Sequence, residues 1–346
     1  MTGEPRSMQR RTIRSPPSSA EGQCVRIDSL LEDDEQRSLA RDALEGLRRP
    51  RKQMPSKHFY DSRGSALFDQ ICELPEYYPT RAEREILSTH AVEIAKLTHA
   101  AELVELGAGT AAKTRALLRA LDDQGALRRY VPIDVTSAVV EDCAVALSSE
   151  FPRLTVHGVI CDFERHLRHL PASGSKPRLL ALLGGTIGNF TPAGRVRLLR
   201  EISAMLAPGD HLLLGTDLVK DPCVLEAAYN DSAGVTAEFN RNLLHVMNSA
   251  LDGNFDPASF DHVAVFDEQE EWIEMRLRSK RKQTVSLGAL ELSVHFEEGE
   301  EMRTEISAKF TRRRVESELE SAGLAIVRWF TDGEGMFALT LARPAT

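Results

Sequence analysis

Val104-Glu105-Leu106-Gly107-Ala108-Gly109-Thr110 closes a short apolar run and leads through Ala111 and Ala112 to Lys113 and a helical pattern. Glycines in such a strand-to-helix turn remove side chains where the chain reverses and where a ligand presses on backbone. Lys113 falls in the first turn of the helix predicted to begin near Ala112, where the helix dipole disfavours a cation. Its presence there points to an anionic partner. The next predicted strand ends at Asp134, and the one after it runs into Asp162-Phe163. Taken singly, a glycine turn is often only a turn, and acidic residues commonly close strands as helix caps. Three successive strand tips bearing Gly, Asp and Asp instead give the order a nucleoside site needs. The turn approaches the ribose, Asp134 accepts its hydroxyl protons, and Asp162 accepts from adenine with Phe163 as an apolar wall.

A nicotinamide site would carry a third glycine at G-x-G-x-x-G, whereas position 112 is Ala and Lys113 follows. A methyl donor built from a nucleoside and a cationic methionine fits better, because Lys113 can meet its carboxylate. The reading is therefore S-adenosylmethionine, held by Gly107, Lys113, Asp134, Asp162 and Phe163.

Outward from this turn the chain alternates apolar runs with helical stretches, the rhythm of a parallel sheet with crossover helices. Strands are predicted at Glu102 to Leu106, Tyr130 to Asp134, Thr155 to Cys161, Leu179 to Leu183 and His211 to Thr216. Helices are predicted near Ala112, Ser137 and Thr191 and after Asp221. Upstream, a first helix spans Leu30 to Leu47 behind an acidic start, and a Gly64-Ser65 break precedes a short helix. Thr80 and Glu83 form a capping-box pattern opening a long amphipathic helix. Val263 to Phe296 reads as antiparallel hairpins. A helix from about Arg312 and two strands, Ala325 to Phe330 and Met336 to Leu341, then close the main sheet antiparallel. The fold class is α/β, a Rossmann-like, mostly parallel core with an antiparallel C-terminal strand.

The 346 residues are 42% hydrophobic and 27% charged, which excludes whole-chain disorder and lets about two domains form. No apolar run is long enough to span a bilayer, and Met1 to Gly22 has no apolar signal region, so a disordered tail and a cytoplasmic protein are expected. Cys24, Cys72, Cys143, Cys161 and Cys223 show no metal-ligand spacing, so free thiols and no metal are expected. A net charge of -9 argues against nucleic acid, and the basic runs at Arg278 to Lys282 and Arg312 to Arg314 read as solvated faces.

At many separated motifs the sequence resembles the bacterial histidine N-alpha-methyltransferases of ergothioneine biosynthesis. They include Phe59-Tyr60-Asp61, Tyr77-Tyr78-Pro79-Thr80-Arg81, the Glu105 to Thr110 turn with Lys113-Thr114-Arg115, and Gly184-Gly185-Thr186-Ile187-Gly188-Asn189. Gly215 to Asp221, Ala228-Tyr229-Asn230-Asp231, Phe239-Asn240-Arg241-Asn242 and Glu305-Ile306-Ser307 extend the match from about Leu30 to Leu341. The resemblance implies a discontinuous α+β substrate-binding domain at 26–81 and 220–308. A donor-binding domain would take 82–219 and 309–346, after a tail at 1–25. It implies conversion of L-histidine to its trimethylated betaine, hercynine, by a monomer that binds histidine and its methylated intermediates. By the same resemblance, Tyr77, Asn189 and Tyr229 match residues holding the substrate's amino acid end, Tyr77 and Asn189 orienting the amine in catalysis. Tyr60, Met275, Glu305 and Ser307 match those around the imidazole. Ala108, Ala111 and Ala112 replace more polar turn residues, and Phe190 stands where Leu is common.

Glu305 and Ser307, two apart in an extended run, leave one face of a strand. Alone, they read as an exposed strand face. Within the resemblance, the carboxylate accepts the imidazole N–H and the hydroxyl meets the second nitrogen. Two alternatives stay open: a relative acting on another amino acid, indifferent to Glu305→Ala, and a donor-binding protein without turnover, which would not need Tyr77, Asn189, Tyr229 and Glu305.

Overall fold

The computed structural model describes residues 9–11, 25–31, 34–170 and 176–345. Its centre is a nine-stranded sheet ordered β1-β2-β6-β5-β4-β7-β8-β15-β14. The parallel strands are β2 (Val25–Ser29), β4 (Glu102–Leu106), β5 (Arg129–Asp134), β6 (Thr155–Ile160), β7 (Arg178–Leu182) and β8 (His211–Asp217). Antiparallel strands flank them: β1 (Gln9–Arg11), β14 (Leu324–Thr331) and β15 (Phe337–Pro344). Strand order reverses between β4 and β7, so the crevice beyond their carboxyl ends is where such a fold binds ligands.

Burial on both faces follows from the strand period of two. Leu103, Tyr130, Val156, Leu179 and Leu213 pack into one core with α3 (Pro79–Thr98), α4 (Arg115–Asp123) and α5 (Ser137–Glu150). Their neighbours Val104, Val131, Leu180, Leu212 and Leu214 pack into another with α7 (Pro192–Met205) and α10 (Arg312–Ser321). A short helix, α6 (Phe163–His166), follows β6.

A third core has its own frame. It joins α1 (Asp34–Leu47), α2 (Ser62–Glu73), α8 (Pro222–Tyr229) and α9 (Val235–Leu251) to a four-stranded sheet and a ribbon. The sheet is β3 (Lys52–Gln53), β13 (Glu301–Ala308), β10 (Trp272–Ser279) and β9 (Phe260–Asp267). The ribbon pairs β11 (Gln283–Leu287) with β12 (Leu292–Phe296). The basic run at Arg278 to Lys282 lies beside acidic partners: Arg278 meets Glu301, Lys280 meets Asp261, Arg281 meets Asp256 and Lys282 meets Glu297.

Four local expectations are corrected. Val25 to Ser29 joins the main sheet instead of the second domain, because Val25 and Ile27 bury against the α3–α5 core. Gln9–Arg11 pairs with it, and the remainder of the expected tail before Val25 lies outside the described residues, as do Glu32 and Asp33 of the acidic helix start. The helix after the glycine turn starts at Arg115, because Ala111 at φ 52 is left-handed and delays it, so Lys113 precedes the helix. Gly64 is no break. The helix begins at Ser62, capped by the Asp61 carboxylate, which accepts from Gly64 N–H at 2.7 Å.

Glycine is needed at 64 because a Cβ there would lie 1.7 Å from the carbonyl oxygen of Phe59. Gly64→Ala must push apart the loop carrying Tyr60 and the helix after it. The expected cost is about 2 kcal/mol, read as a lowered Tm, and an unchanged Tm would show that the loop yields freely.

Candidate active site

A cleft of about 810 Å³ opens at the carboxyl ends of the parallel strands, a volume within the range of small-molecule sites. All the residues singled out for donor and acceptor line it. The main sheet supplies one end and the third core the other.

At the donor end, Gly107 (φ 71) and Gly109 (φ 51) take left-handed backbone that favours glycine. A Cβ built on Gly109 would meet nothing within 4 Å, so the turn faces open space, as a bound nucleoside requires. Gly107 and Ala108 both donate to the Ile133 carbonyl, at 2.8 and 3.0 Å, fixing the turn to β5. Asp134 accepts from Gly109 N–H and Thr136 N–H, each at 3.1 Å, one on each oxygen. Burial raises its carboxyl above the usual range, against the backbone donors that lower it. Phe163 leans over the turn, with Cε1 4.0 Å from a Gly107 Cβ. Asp162 caps the short α6 through Glu164 N–H at 3.0 Å and meets Lys57 Nζ at 3.2 Å, which also pairs with Asp42 at 3.1 Å.

Glu105, beneath the turn, spends its oxygens on Thr114 at 2.6 Å and Tyr130 at 2.5 Å. It therefore braces the turn. Burial pushes its carboxyl up to about 7. Lys113 finds its anion within the protein, pairing with the fully buried Glu83. Glu83 also accepts from Gly184 N–H at 2.7 Å, joining the turns after β4 and β7 across the switch point. Burial works against the charge of Lys113, but Glu83 holds its ammonium above the usual range. The capping box read at Thr80 and Glu83 does not form, since Pro79 opens α3. Thr80 instead contacts Cys72 Sγ at 3.3 Å.

At the end built by the third core, β10 and β13 pair so that Met275 faces Glu305 and Ile273 faces Ser307. Ser307 meets Tyr229 Oη at 2.7 Å. Tyr77 stands edge-on to Tyr229, with ring centroids 6.2 Å apart, and to Phe68, at 6.1 Å. Tyr60 packs edge-on against Phe68 and Phe239, each at 5.6 Å. Asn189 ends the single turn after β7 and lines the cleft. Burial first, then neighbouring negative or phenolic groups, raises Tyr60 and Tyr77 above the ordinary tyrosine range, and burial raises Tyr229 against the opposing charge of Lys309, so all three stay phenols. Burial also pushes Glu305 up to about 7, against the opposing charge of Lys309.

Several residues of this site escaped the sequence reading. Lys57, Asp217 and Lys309 were not singled out, and Glu83 was read as a cap. Asp217 and Lys220 lay inside a motif carrying the resemblance, but no spacing rule marked Lys309.

The shift at Glu305 sets a sign. Its folded value of about 7 exceeds the usual 4.5, so its contribution to stability is full below about pH 4.5 and lost as pH rises through 7. Glu305→Gln is expected to raise Tm by about 3 °C at pH 8 and by less at pH 5, measured by calorimetry. Equal shifts at both pH values would contradict the carboxyl's assigned environment.

Residues 39–344 match the family model described as histidine-specific methyltransferase, SAM-dependent. The chain is 50% identical over 313 residues to the histidine N-alpha-methyltransferase of Mycobacterium tuberculosis, covering 90% of this chain and 97% of that protein. Its identity to the Mycolicibacterium smegmatis histidine N-alpha-methyltransferase is 49%, again covering 90% and 97%. A third relative, ergothioneine biosynthesis protein 1 of Neurospora crassa, is 33% identical over 203 residues, covering 58% of this chain and 23% of that protein. The chain belongs to the S-adenosylmethionine-dependent, histidine-specific methyltransferase family.

Proposed function

We propose that the protein transfers three methyl groups in turn to the α-amino nitrogen of L-histidine, giving hercynine for ergothioneine biosynthesis. The observation that carries this is the Glu305–Ser307 face of β13 beside Met275, at the far end of the cleft from the glycine turn. A carboxylate and a hydroxyl on one face match the two nitrogens of an imidazole, and a ring without them would strand both.

S-adenosylmethionine supplies a methyl group on a sulfonium that is already a good leaving group, so the transfer requires no metal. Gly107 and Gly109 let its ribose approach the backbone, Asp134 takes the hydroxyls, Asp162 and Phe163 take the adenine, and Lys113 its carboxylate side. Tyr77 and Asn189 orient the amine, Tyr229 supports the acceptor's amino acid end, and Tyr60 and Met275 wall the imidazole. Catalysis is then mostly alignment of a lone pair with the carbon–sulfur axis. The amine must shed its proton before each attack. Phenols raised by burial are poor recipients, which supports release to solvent.

We assign the donor to 82–219 and 309–346, and the acceptor to the stretches from α1 to residue 81 and from 220 to 308, most of which pack in the third core. The buried free thiols Cys143 and Cys161 fit a cytoplasmic setting, and among the described residues no helix is long and apolar enough to cross a membrane.

Incubation with histidine and S-adenosylmethionine should give mono-, di- and trimethylated histidine by mass analysis, with fragments placing every methyl on the α-nitrogen. Methyl on an imidazole nitrogen would overturn the proposal. Glu305→Ala should weaken histidine about 100-fold with donor affinity unchanged. An unaltered histidine KM would point to another amino acid.

A further inference from the structure

Lys309 follows β13, and its side chain is fully buried. Its ammonium lies 2.8 Å from Asp217 Oδ2, 2.9 Å from Ser307 Oγ and 3.0 Å from Tyr229 Oη. An ammonium has three protons and no lone pair, so these contacts use all of its donors. Both hydroxyl oxygens must therefore accept from it.

Ser307 Oγ and Tyr229 Oη are themselves 2.7 Å apart, a separation that one shared proton bridges. Of the two directions open to that proton, the greater acidity of a phenol favours donation from Tyr229 with Ser307 accepting. Ser307 then receives two hydrogen bonds, one from Lys309 and one from Tyr229, and has no lone pair left. Its own proton has no place in this triangle and is free to turn toward the cleft it lines. The charge of Lys309 is matched by Asp217, which Tyr78 and Lys220 also hold, at 2.8 and 2.6 Å.

We propose that Lys309 is a positioning residue that makes Ser307 an obligate donor, so that the acceptor end selects a ring presenting one nitrogen lone pair to Ser307 and one N–H to Glu305. This rests on the histidine reading above and deepens it. A hydroxyl free to rotate would tolerate a donor, an acceptor or neither in the ring. The committed hydroxyl tolerates only a lone pair.

The test compares affinities, by calorimetry, for histidine and for β-(2-thienyl)alanine, whose ring is similar in size but lacks both nitrogens. The wild-type protein should strongly prefer histidine. Lys309→Met should cut that preference about tenfold, with S-adenosylmethionine affinity held, and should cost little more in a Ser307→Ala background. Equal weakening of both amino acids, or losses that add in the double variant, would reduce Lys309 to a packing role and overturn the proposal. If Lys309→Met does not fold, Tyr229→Phe asks the same question. Removing the phenol proton frees a Ser307 lone pair, so the ratio of the two affinities should fall several-fold, and an unchanged ratio overturns the proposal. A wild-type protein that neither prefers nor methylates histidine would sink the histidine reading itself. Intact preference that Lys309→Met leaves unmoved sinks only the role of Lys309.

Discussion

The arrangement of this molecule depends on one buried carboxylate. Asp217 ends β8, the last parallel strand of the main sheet, and gathers Tyr78 at the start of α3, Lys220 from the following loop and Lys309 from the end of β13. Burial opposes its charge, but Lys309 and Lys220 hold the carboxyl below the usual range. A buried ion pair adds little net stability over an apolar alternative, yet removing one partner leaves an uncompensated charge costing about 3–5 kcal/mol. The contact thus works as a registration device between two separately packed bodies. Tyr77 adjoins Tyr78, and Ser307 lies two residues before Lys309, so the same junction that joins the sheets sets Tyr77 and Ser307 in the cleft lining.

Glu83 does the equivalent work at the donor end. It is fully buried on α3 and reaches the turns after both β4 and β7 through Lys113 and Gly184 N–H. A Cβ on Gly215 would lie 2.6 Å from its carboxylate, so β8 too is shaped around it. With Glu105 fixing Thr114 and Tyr130 below, the donor turn is held by protein groups alone. Such a turn spends little binding energy on ordering itself when a ligand arrives.

What the sequence disclosed, and what it withheld, divides along the same line. Strands that alternate between two cores announce themselves through period and composition, so β4 to β8 were legible to within a residue or two, and the antiparallel pair β14 and β15 to within three. The donor turn was legible because left-handed backbone needs glycine at 107 and 109. The acceptor wall was not legible from periodicity: Glu305 and Ser307 sit in a charged strand that looks exposed until Met275, far away in sequence, is paired with it. Their selection came from the resemblance. Lys309 was hidden for a further reason. Its partners Asp217 and Tyr229 lie about 80 to 90 residues away, and no short-range rule distinguishes a buried lysine from a solvated one. Glu83 and Gly64 were misread because each obeys a local pattern, a capping box and a chain break, that tertiary contacts override.

The aromatic lining of the acceptor end bears on how a reaction of this kind can run to completion. Each methyl added to an amine removes a hydrogen-bond donor and adds apolar surface, and the third leaves a fixed cation. A site that held its amine only by hydrogen bonds would bind each successive acceptor less well. Tyr77, Tyr229, Phe68, Phe239 and Tyr60 form a continuous run of edge-on and tilted rings, and burial keeps the three tyrosines uncharged. Neutral aromatic faces attract methylated ammonium without demanding a donor in return. Under the proposed assignment, the polar contacts that fix the acceptor belong at its imidazole, with Glu305 and Ser307, where methylation changes nothing. On that assignment Tyr77 and Asn189 aim the amine, while the ring contacts at the unreacting end stay the same through all three transfers.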